Sequence, residues 1–334
     1  MLPVGKLDLE LMSSLLKFQG WPDERVVLGP QIGEDAAVID FGDRYLVAKT
    51  DPITFVTEEI GWYLVQVNAN DLATTGATPR WLLVTLLLPE ERTTPELANQ
   101  IFAQIDAACR DLHIAVVGGH TEVTYGLDRP LAIGHMLGEV DKDKWVTTGG
   151  ARVGDDIVLV KGIAIEGTSI IAREKGEELR QRGYPPDWIA RAQDYLYDPG
   201  ISIVREARLA VESSVVHAMH DPTEGGLATG LHELARAANV GAWVDHDAIP
   251  VWPECTPLCA EFGLDPLGTI ASGALLIALP HDQTPALLSA YQKAHVTCAL
   301  IGHVTAANAG LKLKSEATTI DLPRFDQDEI TKLF

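Results

Sequence analysis

Cysteines are scarce in this sequence. There are four in 334 residues, and only Cys255 and Cys259 lie close together. One C-x-x-x-C pair lacks the second pair of ligands that a structural zinc site needs. The chain is also long and apolar enough, with 46% hydrophobic residues, to bury a core without disulfides. We therefore expect ordinary thiols.

Basic residues are outnumbered by acidic ones. The chain has 26 Lys and Arg against 47 Asp and Glu, a formal net charge of -21. Nucleic-acid binding depends on Lys and Arg that displace counterions, and docking on anionic lipid also needs cations. The composition therefore argues against nucleic-acid and membrane partners. An acidic protein binds phosphate groups through metal ions, backbone N–H groups or a few well-placed cations.

Long hydrophobic runs are missing too. The most apolar run, Trp81–Leu88, is far shorter than the ~20 residues that span a bilayer, and it fits a buried strand. The N-terminus has no basic stretch followed by an apolar segment, so we expect no signal peptide. These observations predict a cytoplasmic protein.

Segments with helix and strand periodicity alternate along the chain, which predicts an α/β or α+β fold. One helix is expected to begin at Thr94-Pro95, and another to open after Gly225-Gly226 and to close near Asn239-Val-Gly241. Strands are predicted at Ala36–Asp40, Tyr45–Thr50, Trp81–Leu88, Ile114–Val117, Leu131–Val140, Asp156–Val160, Val215–His220, Ala274–Leu279 and Ala299–Val304.

The length favours two domains, at a typical ~150 residues each. A short glycine-rich stretch at 147–154 is the natural break between them. We therefore predict a first domain at 1–148, a second at 153–310, and a polar tail at 311–334.

Two acidic segments adjoin predicted strands in the first domain. Gly33-Glu-Asp35 leads directly into a strand, and Lys49-Thr-Asp51 follows the apolar part of the next one. Strand ends often carry ligand-binding groups in α/β folds, so Asp35 and Asp51 are candidate cation ligands and Lys49 a candidate phosphate contact. Ordinary surface turns are the competing interpretation.

A third segment places polar residues within an apolar helix. Asn68 and Asp71 are three residues apart and so share one helical face, among Val, Ala and Leu neighbours. Buried polar side chains need partners, which favours a functional role. An exposed polar face of an amphipathic helix is the alternative.

Two glycine pairs mark the remaining candidate ligand-binding segments. Gly118-Gly119 follows a strand expected to be buried and precedes His120, where the missing side chains allow a ligand to approach the backbone. A hairpin turn would explain the same residues. Later, His-Asp221-Pro-Thr223-Glu precedes Gly225-Gly226, where Thr223 would cap a helix whose N-terminus is a ready anion site.

Another glycine-rich segment resembles a P-loop only in its spacing. Gly162 and Gly167 are followed by Thr168 where the motif requires lysine, which excludes a Walker NTPase. A phosphate contact at Thr168 and Ser169 remains an option.

Taken in order, these segments resemble the aminoimidazole-ribonucleotide (AIR) synthase superfamily. The order is Gly-Glu-Asp-Ala-Ala, Thr-Asp, Val-Asn-x-Asn-Asp with Gly-Ala-x-Pro, Gly-Gly-His-Thr, and Asp-Pro-Thr-x-Gly-Gly-Leu, from Gly33 to about Val304. The similarity is greatest to the HypE branch, chiefly through the segment that begins at Met219. It implies a two-domain fold in which the first domain pairs with its twin as a β-barrel at a homodimer interface, with ATP and Mg²⁺ in the cleft there and an α/β second domain.

The resemblance also implies roles for individual residues. The metal-binding acids would be Asp35, Asp51 and Asp71, with Glu122 as a possible replacement ligand. The nucleotide contacts would be Asn68, Asn70, Gly118, Gly119, Thr121, Asp221 and Thr223. Lys49 and His120 are the candidates for stabilising charge or transferring a proton.

Three features depart from the HypE pattern. The chain ends in Leu333-Phe334, whereas HypE proteins end in a cysteine that carries the reacting group. His120 stands where kinase-like relatives carry an acid, and histidine and glutamate replace two arginines around Asp221.

The function that the resemblance implies is ATP- and Mg²⁺-dependent phosphorylation of an oxygen on an unidentified acceptor. The alternatives are a nucleotide-binding assembly partner without turnover and a non-nucleotide enzyme with another divalent metal.

Overall fold

A computed structural model describes residues 7, 9–18, 20–31, 33–54, 58–316 and 318–334. Part of the N-terminal stretch considered for a signal peptide therefore lies outside the described residues. The chain divides into two compact units. The N-terminal unit contains Trp21–Pro30 and Asp35–Trp145, and the C-terminal unit contains Met1–Gly20, Gln31–Glu34 and Val146–Phe334. Among the described residues, no helix is long and apolar enough to cross a membrane.

The elements alternate as the periodicity predicts. The α-helices are α1 (Leu9–Leu15), α2 (Ile60–Thr74), α3 (Pro95–Asp111), α4 (Ile165–Glu174), α5 (Gly176–Gln181), α6 (Pro186–Asp194), α7 (Val204–Ser213), α8 (Gly226–Ala238), α9 (Cys255–Glu261) and α10 (Thr284–Lys293). The strands are β1 (Val26–Leu28), β2 (Ala37–Asp40), β3 (Arg44–Ile53), β4 (Thr78–Pro89), β5 (Ala115–Thr124), β6 (Leu131–Asp141), β7 (Asp155–Val160), β8 (Ala218–His220), β9 (Val240–Asp245), β10 (Leu275–Pro280), β11 (Cys298–Ala306), β12 (Leu311–Lys314) and β13 (Thr319–Asp321).

The described residues of the N-terminal unit form a six-stranded sheet and two α-helices. Its strand order is β1-β2-β3-β6-β4-β5, and neighbours are antiparallel except for the parallel pair of β4 and β5. Helix α2 packs against β3, β6 and α3. Because it has neighbours on several sides, α2 is buried almost throughout, including Asn68 and Asp71, so the alternative of an exposed polar face is wrong.

The C-terminal unit contains a seven-stranded sheet ordered β13-β12-β9-β11-β7-β10-β8. Helix α8 supplies Leu227, Leu231 and Leu234 to a core that includes Ile157 and Leu276 of the sheet. A second apolar cluster joins helices α4, α5, α6 and α9. The predicted tail contains β12, β13 and a short 3₁₀ helix, Glu329–Leu333, and Leu313, Leu322 and Ile330 are buried.

Two predicted helix boundaries match the structure. The Thr94 side chain accepts a hydrogen bond from the Leu97 N–H at 3.2 Å, and Pro95 occupies the first turn of α3. Helix α8 ends at Asn239, whose left-handed conformation closes it. The four cysteines are free thiols.

The expectation of a short buried strand at Ile114–Val117 is wrong. Strand β5 runs from Ala115 to Thr124, and its residues through Val123 are exposed. Among the strands of the described residues, it is the last of its sheet and has a neighbour, β4, on one side only. An apolar strand sequence therefore lies at an edge here.

Candidate functional site

Three predicted acids of the N-terminal unit surround one lysine. Lys49 Nζ lies 3.1 Å from Asp71 Oδ2 and 3.8 Å from Asp51 Oδ2. Asp35 acts on the same lysine electrostatically, and its Oδ2 lies 3.4 Å from the Thr74 hydroxyl. Strand β3 carries Lys49 and Asp51, helix α2 carries Asp71, and Asp35 precedes β2. Segments distant in sequence therefore form one acidic cluster.

The cluster carries more negative than positive charge in a largely buried place. Burial raises the pKa of Asp71, Lys49 lowers it, and Asp35 and Asp51 raise it further. Burial lowers the pKa of Lys49, but the three acids outweigh that effect and raise it above its ordinary value. One ammonium group thus faces three carboxylates, and an added cation would relieve their repulsion.

Asn68 holds the backbone that carries Asp51. Its Oδ1 accepts a hydrogen bond from the Asp51 N–H at 3.0 Å, and its Nδ2 donates to Asp51 O at 3.3 Å and to Leu64 O at 2.9 Å. A Cβ at Gly134, which pairs with Asp51 across the sheet, would lie 2.4 Å from this amide. Sequence reasoning missed Gly134, although a glycine inside a strand often signals such a close approach. Asn70 is buried.

The Gly118–Glu122 segment does not join this cluster within one chain. In the strand register, Asp51 pairs with Gly134, Gly134 with Val84, and Val84 with Gly119. Strands are about 4.8 Å apart, so Asp51 and Gly119 are separated by about 14 Å. His120 and Glu122, which follow on β5, are outside the reach of an ion bound at Asp51.

Gly119 has a structural reason to be glycine. Its φ is +151°, and a Cβ there would lie 2.0 Å from Val84 O. The absence of a side chain at Gly119 therefore lets β5 pair with β4, and this explanation of the glycine requires no ligand. The neighbouring His120 is exposed, and its Nε2 lies 3.1 Å from Glu122 Oε2. Thr121 is exposed as well.

In the C-terminal unit, the predicted Asp221–Gly226 loop lies between β8 and α8. Asp221 is buried, and the preceding His220 has Nε2 3.0 Å from Glu233 Oε2. Thr223 does not cap α8, contrary to expectation. The N-cap is Gly225, in the left-handed conformation at φ 78°, and its N–H donates to Asp328 Oδ2 at 2.6 Å.

Three further residues differ in role from the simplest motif interpretation. The Glu34 carboxylate accepts hydrogen bonds from the N–H groups of Thr148 and Gly149 at 3.2 and 3.1 Å, so this acid anchors backbone. Thr168 and Ser169 are fully buried, and their hydroxyls donate to Ala164 O and Gln193 O at 2.6 and 2.8 Å. These bonds occupy the hydroxyls that sequence reasoning kept as a phosphate contact.

Family comparison identifies both halves of the chain. Residues 33–140 match the family described as AIR synthase related protein, N-terminal domain. Residues 152–314 match AIR synthase related protein, C-terminal domain. These ranges include the Asp35, Asp51 and Asp71 cluster and the Asp221–Gly226 loop.

Individual relatives agree with this assignment. A carbamoyl dehydratase HypE from Azotobacter vinelandii is 30% identical over 313 residues, covering 91% of this chain and 85% of the relative. A thiamine-monophosphate kinase from Aquifex aeolicus is 24% identical over 247 residues, covering 71% and 75%. A crystal structure of hydrogenase maturation protein HypE in complex with ATP superposes with a TM-score of 0.73 at 25% identity, covering 90% and 92%. The chain therefore belongs to the AIR synthase superfamily and is HypE-like.

Proposed function

We propose that this protein is an ATP- and Mg²⁺-dependent enzyme that phosphorylates an oxygen of an acceptor molecule. The observation that carries the proposal is the cluster of Asp35, Asp51 and Asp71 around Lys49. Its support from relatives is the family membership, together with the HypE structure that contains ATP.

The donor set fits Mg²⁺. This ion prefers hard oxygen ligands and is commonly bound through one or two carboxylates together with substrate phosphates. We assign the protein ligands to Asp51 and Asp71, with Asp35 beside them. When bound, Mg²⁺ would supply neutralisation of the phosphate charge during transfer.

The chain's own residues would orient and neutralise the substrate. Asn68 fixes the backbone of Asp51 through both of its amide atoms. Lys49 balances the acids in the free protein and, with cations present, has an ammonium group available to a phosphate oxygen. Asn70, Gly118, Gly119, Thr121, Asp221 and Thr223 remain proposed nucleotide contacts, and His120 a proposed proton-transfer group. Glu122 remains a proposed metal ligand, but of an ion other than the one at Asp51 of its own chain.

We also propose that the protein is a homodimer that pairs through β5. In the part of the chain that the structure describes, this strand has one unpaired edge, and Val116, Val117 and Val123 on it are each more than half exposed, at 51%, 54% and 55%. Unprotected apolar edges are usually paired with another strand or covered. Pairing would place the Gly118–Glu122 segment at the interface, as expected for a barrel formed by two copies.

Calorimetric titration with Mg²⁺ and a non-hydrolysable ATP analogue tests the proposal. Asp71→Asn removes a ligand charge while keeping the side-chain shape, and we expect at least about 10-fold weaker binding because a charge-assisted contact is lost. Asp143→Asn, at an exposed position in the turn after β6, is the matched control and should bind normally. Equal affinity of Asp71→Asn and wild type would refute the assigned site.

Turnover separates an enzyme from a nucleotide-binding partner. Wild-type protein supplied with ATP, Mg²⁺ and an extract of small metabolites should release ADP, and Asp71→Asn should release much less. Tight nucleotide binding with no ADP release under these conditions would instead identify an assembly partner.

A further inference from the structure

We propose that Asp328, near the C-terminus, is a positioning residue for the Asp221–Gly226 loop. The inference rests on the proposed function, because it concerns a loop assigned there to nucleotide contact. Asp328 does not belong to any of the motifs that carry the family resemblance. It lies more than one hundred residues after the loop, in the segment that the sequence predicts to be a polar tail.

The Asp328 carboxylate connects separate pieces of backbone. Its Oδ2 accepts a hydrogen bond from the Gly225 N–H at 2.6 Å. Its Oδ1 accepts from the Ile270 N–H at 3.2 Å and from the Ile330 N–H at 2.8 Å. A carboxylate that accepts several N–H bonds is a strong anchor, because each bond is assisted by charge.

The loop held by this carboxylate has little conformational freedom left. Gly225 and Gly226 both have positive φ, and a Cβ at Gly226 would lie 2.5 Å from Leu267 O. Thr223 O accepts from the N–H groups of Gly226 and Ala271 at 3.0 and 3.2 Å. The loop is therefore fixed against residues 267–271, and Asp328 binds both of these segments.

The C-terminal segment is itself attached at several points, so Asp328 has a defined position. The Phe325 ring packs against Gly268, where an added Cβ would lie 2.5 Å away. Glu329 Oε2 accepts from the Asp265 N–H at 2.9 Å, and Lys175 Nζ donates to Leu333 O at 2.9 Å. Burial raises the pKa of Asp328 to about 6, against the lowering effect of its N–H partners. It is ionised at pH 7.5.

The test compares the full-length wild type, Asp328→Asn and Asp326→Asn at pH 7.5. Asp328→Asn replaces an accepting oxygen by an NH₂ group, which leaves one of the N–H partners without its acceptor. Asp326→Asn makes the same charge change at an exposed site two residues away. Hydrogen exchange of residues 223–227 and calorimetric binding of an ATP analogue with Mg²⁺ are measured for each.

In Asp328→Asn we expect about 10-fold faster hydrogen exchange at the loop and about 5- to 10-fold weaker nucleotide binding, while exchange in α10 stays unchanged. Asp326→Asn should match the wild type in both measurements. If the loop of Asp328→Asn exchanged at the wild-type rate, the inference would be overturned. Faster exchange with wild-type affinity would also overturn it, because Asp328 would then have only a structural role. Absence of nucleotide binding by the wild type would instead overturn the proposed function, and the positioning role with it.

Discussion

Asn68 illustrates a residue whose motif position and structural role differ. The family resemblance assigns it to nucleotide or metal contact, yet its amide bonds to the backbone of Asp51 and to Leu64 O. A buried amide with its oxygen and nitrogen both satisfied by protein groups is well suited to hold a neighbour in place. We therefore infer that Asn68 acts through Asp51.

Asn68→Ala should weaken binding of Mg²⁺ and nucleotide about 10-fold and lower the free energy of unfolding by about 1–3 kcal/mol, because the Asp51 N–H loses its buried partner. Calorimetry and urea denaturation measure the two effects. Asn99→Ala is a close control, since Asn99 also donates to the carbonyl four residues earlier, Pro95 O, but is exposed. Unchanged nucleotide affinity in Asn68→Ala would show that Asp51 does not depend on it.

Glu166 is a buried acid outside the proposed metal site. Within the described part of the chain its Oε2 has no hydrogen-bond partner. Burial raises its pKa to about 7, a hydrogen bond from Ser272 lowers it, and Asp328 and Glu224 raise it. Because the folded pKa exceeds the ordinary value of 4.5, the folded state binds more protons between these pH values. The free energy of unfolding therefore decreases as pH rises from about 4.5 to about 7, because the buried Glu166 must then ionise in the folded state.

Glu166→Gln should remove that pH dependence. At pH 8 the variant should be more stable than wild type by up to about 3 kcal/mol, and the difference should shrink towards pH 5. Urea denaturation at both pH values measures it, with the exposed Glu177→Gln as control. A variant less stable than wild type at pH 8 would contradict the assigned cost of ionising Glu166.

The position of strand β5 within its sheet cannot be predicted from the sequence of the strand alone. Its apolar valines indicate a strand correctly, but they do not say whether the strand lies in the middle or at the edge of a sheet. That position depends on the order β3-β6-β4-β5, which is set by pairing between segments distant in sequence. The same pairing explains Gly119, whose role becomes clear only with Val84 beside it.

Gly119→Ala and Gly118→Ala form a matched pair for this element. Both glycines have positive φ, but an added Cβ meets Val84 O at 2.0 Å in the first and only Leu83 Cδ2 at 3.9 Å in the second. Gly119→Ala should therefore be less stable by about 2 kcal/mol more than Gly118→Ala. Urea denaturation of both variants checks this, and equal stabilities would mean that β4 and β5 do not pair this closely.

Much of the fold follows from local sequence signals. Thr94-Pro95 and Asn239 mark real helix ends because capping is a local property. The order of acidic motifs also identifies residues that meet at Lys49. The role of Asp328 is different, since a carboxylate in a polar tail gives no local sign that it binds the Gly225 N–H. Contacts of this kind depend on tertiary packing.

We expect the whole molecule to be an assembly of two chains. Val117→Lys places a charge on the exposed β5 edge and should convert a dimer to a monomer at micromolar concentration, because edge charges oppose strand pairing. Light scattering measures the mass. Val153→Lys, at another exposed valine in the C-terminal unit, should remain dimeric. A monomeric wild type would remove the proposed interface.

The central claim is that Asp51 and Asp71 hold the divalent ion of a metal–nucleotide complex. A crystal structure with a non-hydrolysable ATP analogue, and with Mn²⁺ in place of Mg²⁺ for its anomalous signal, tests it most directly. We predict an anomalous peak for Mn²⁺ about 2 Å from carboxylate oxygens of Asp51 or Asp71, with phosphate oxygens of the ATP analogue also bound to the ion. Mn²⁺ and triphosphate bound elsewhere, with these carboxylates still paired only to Lys49, would contradict the account.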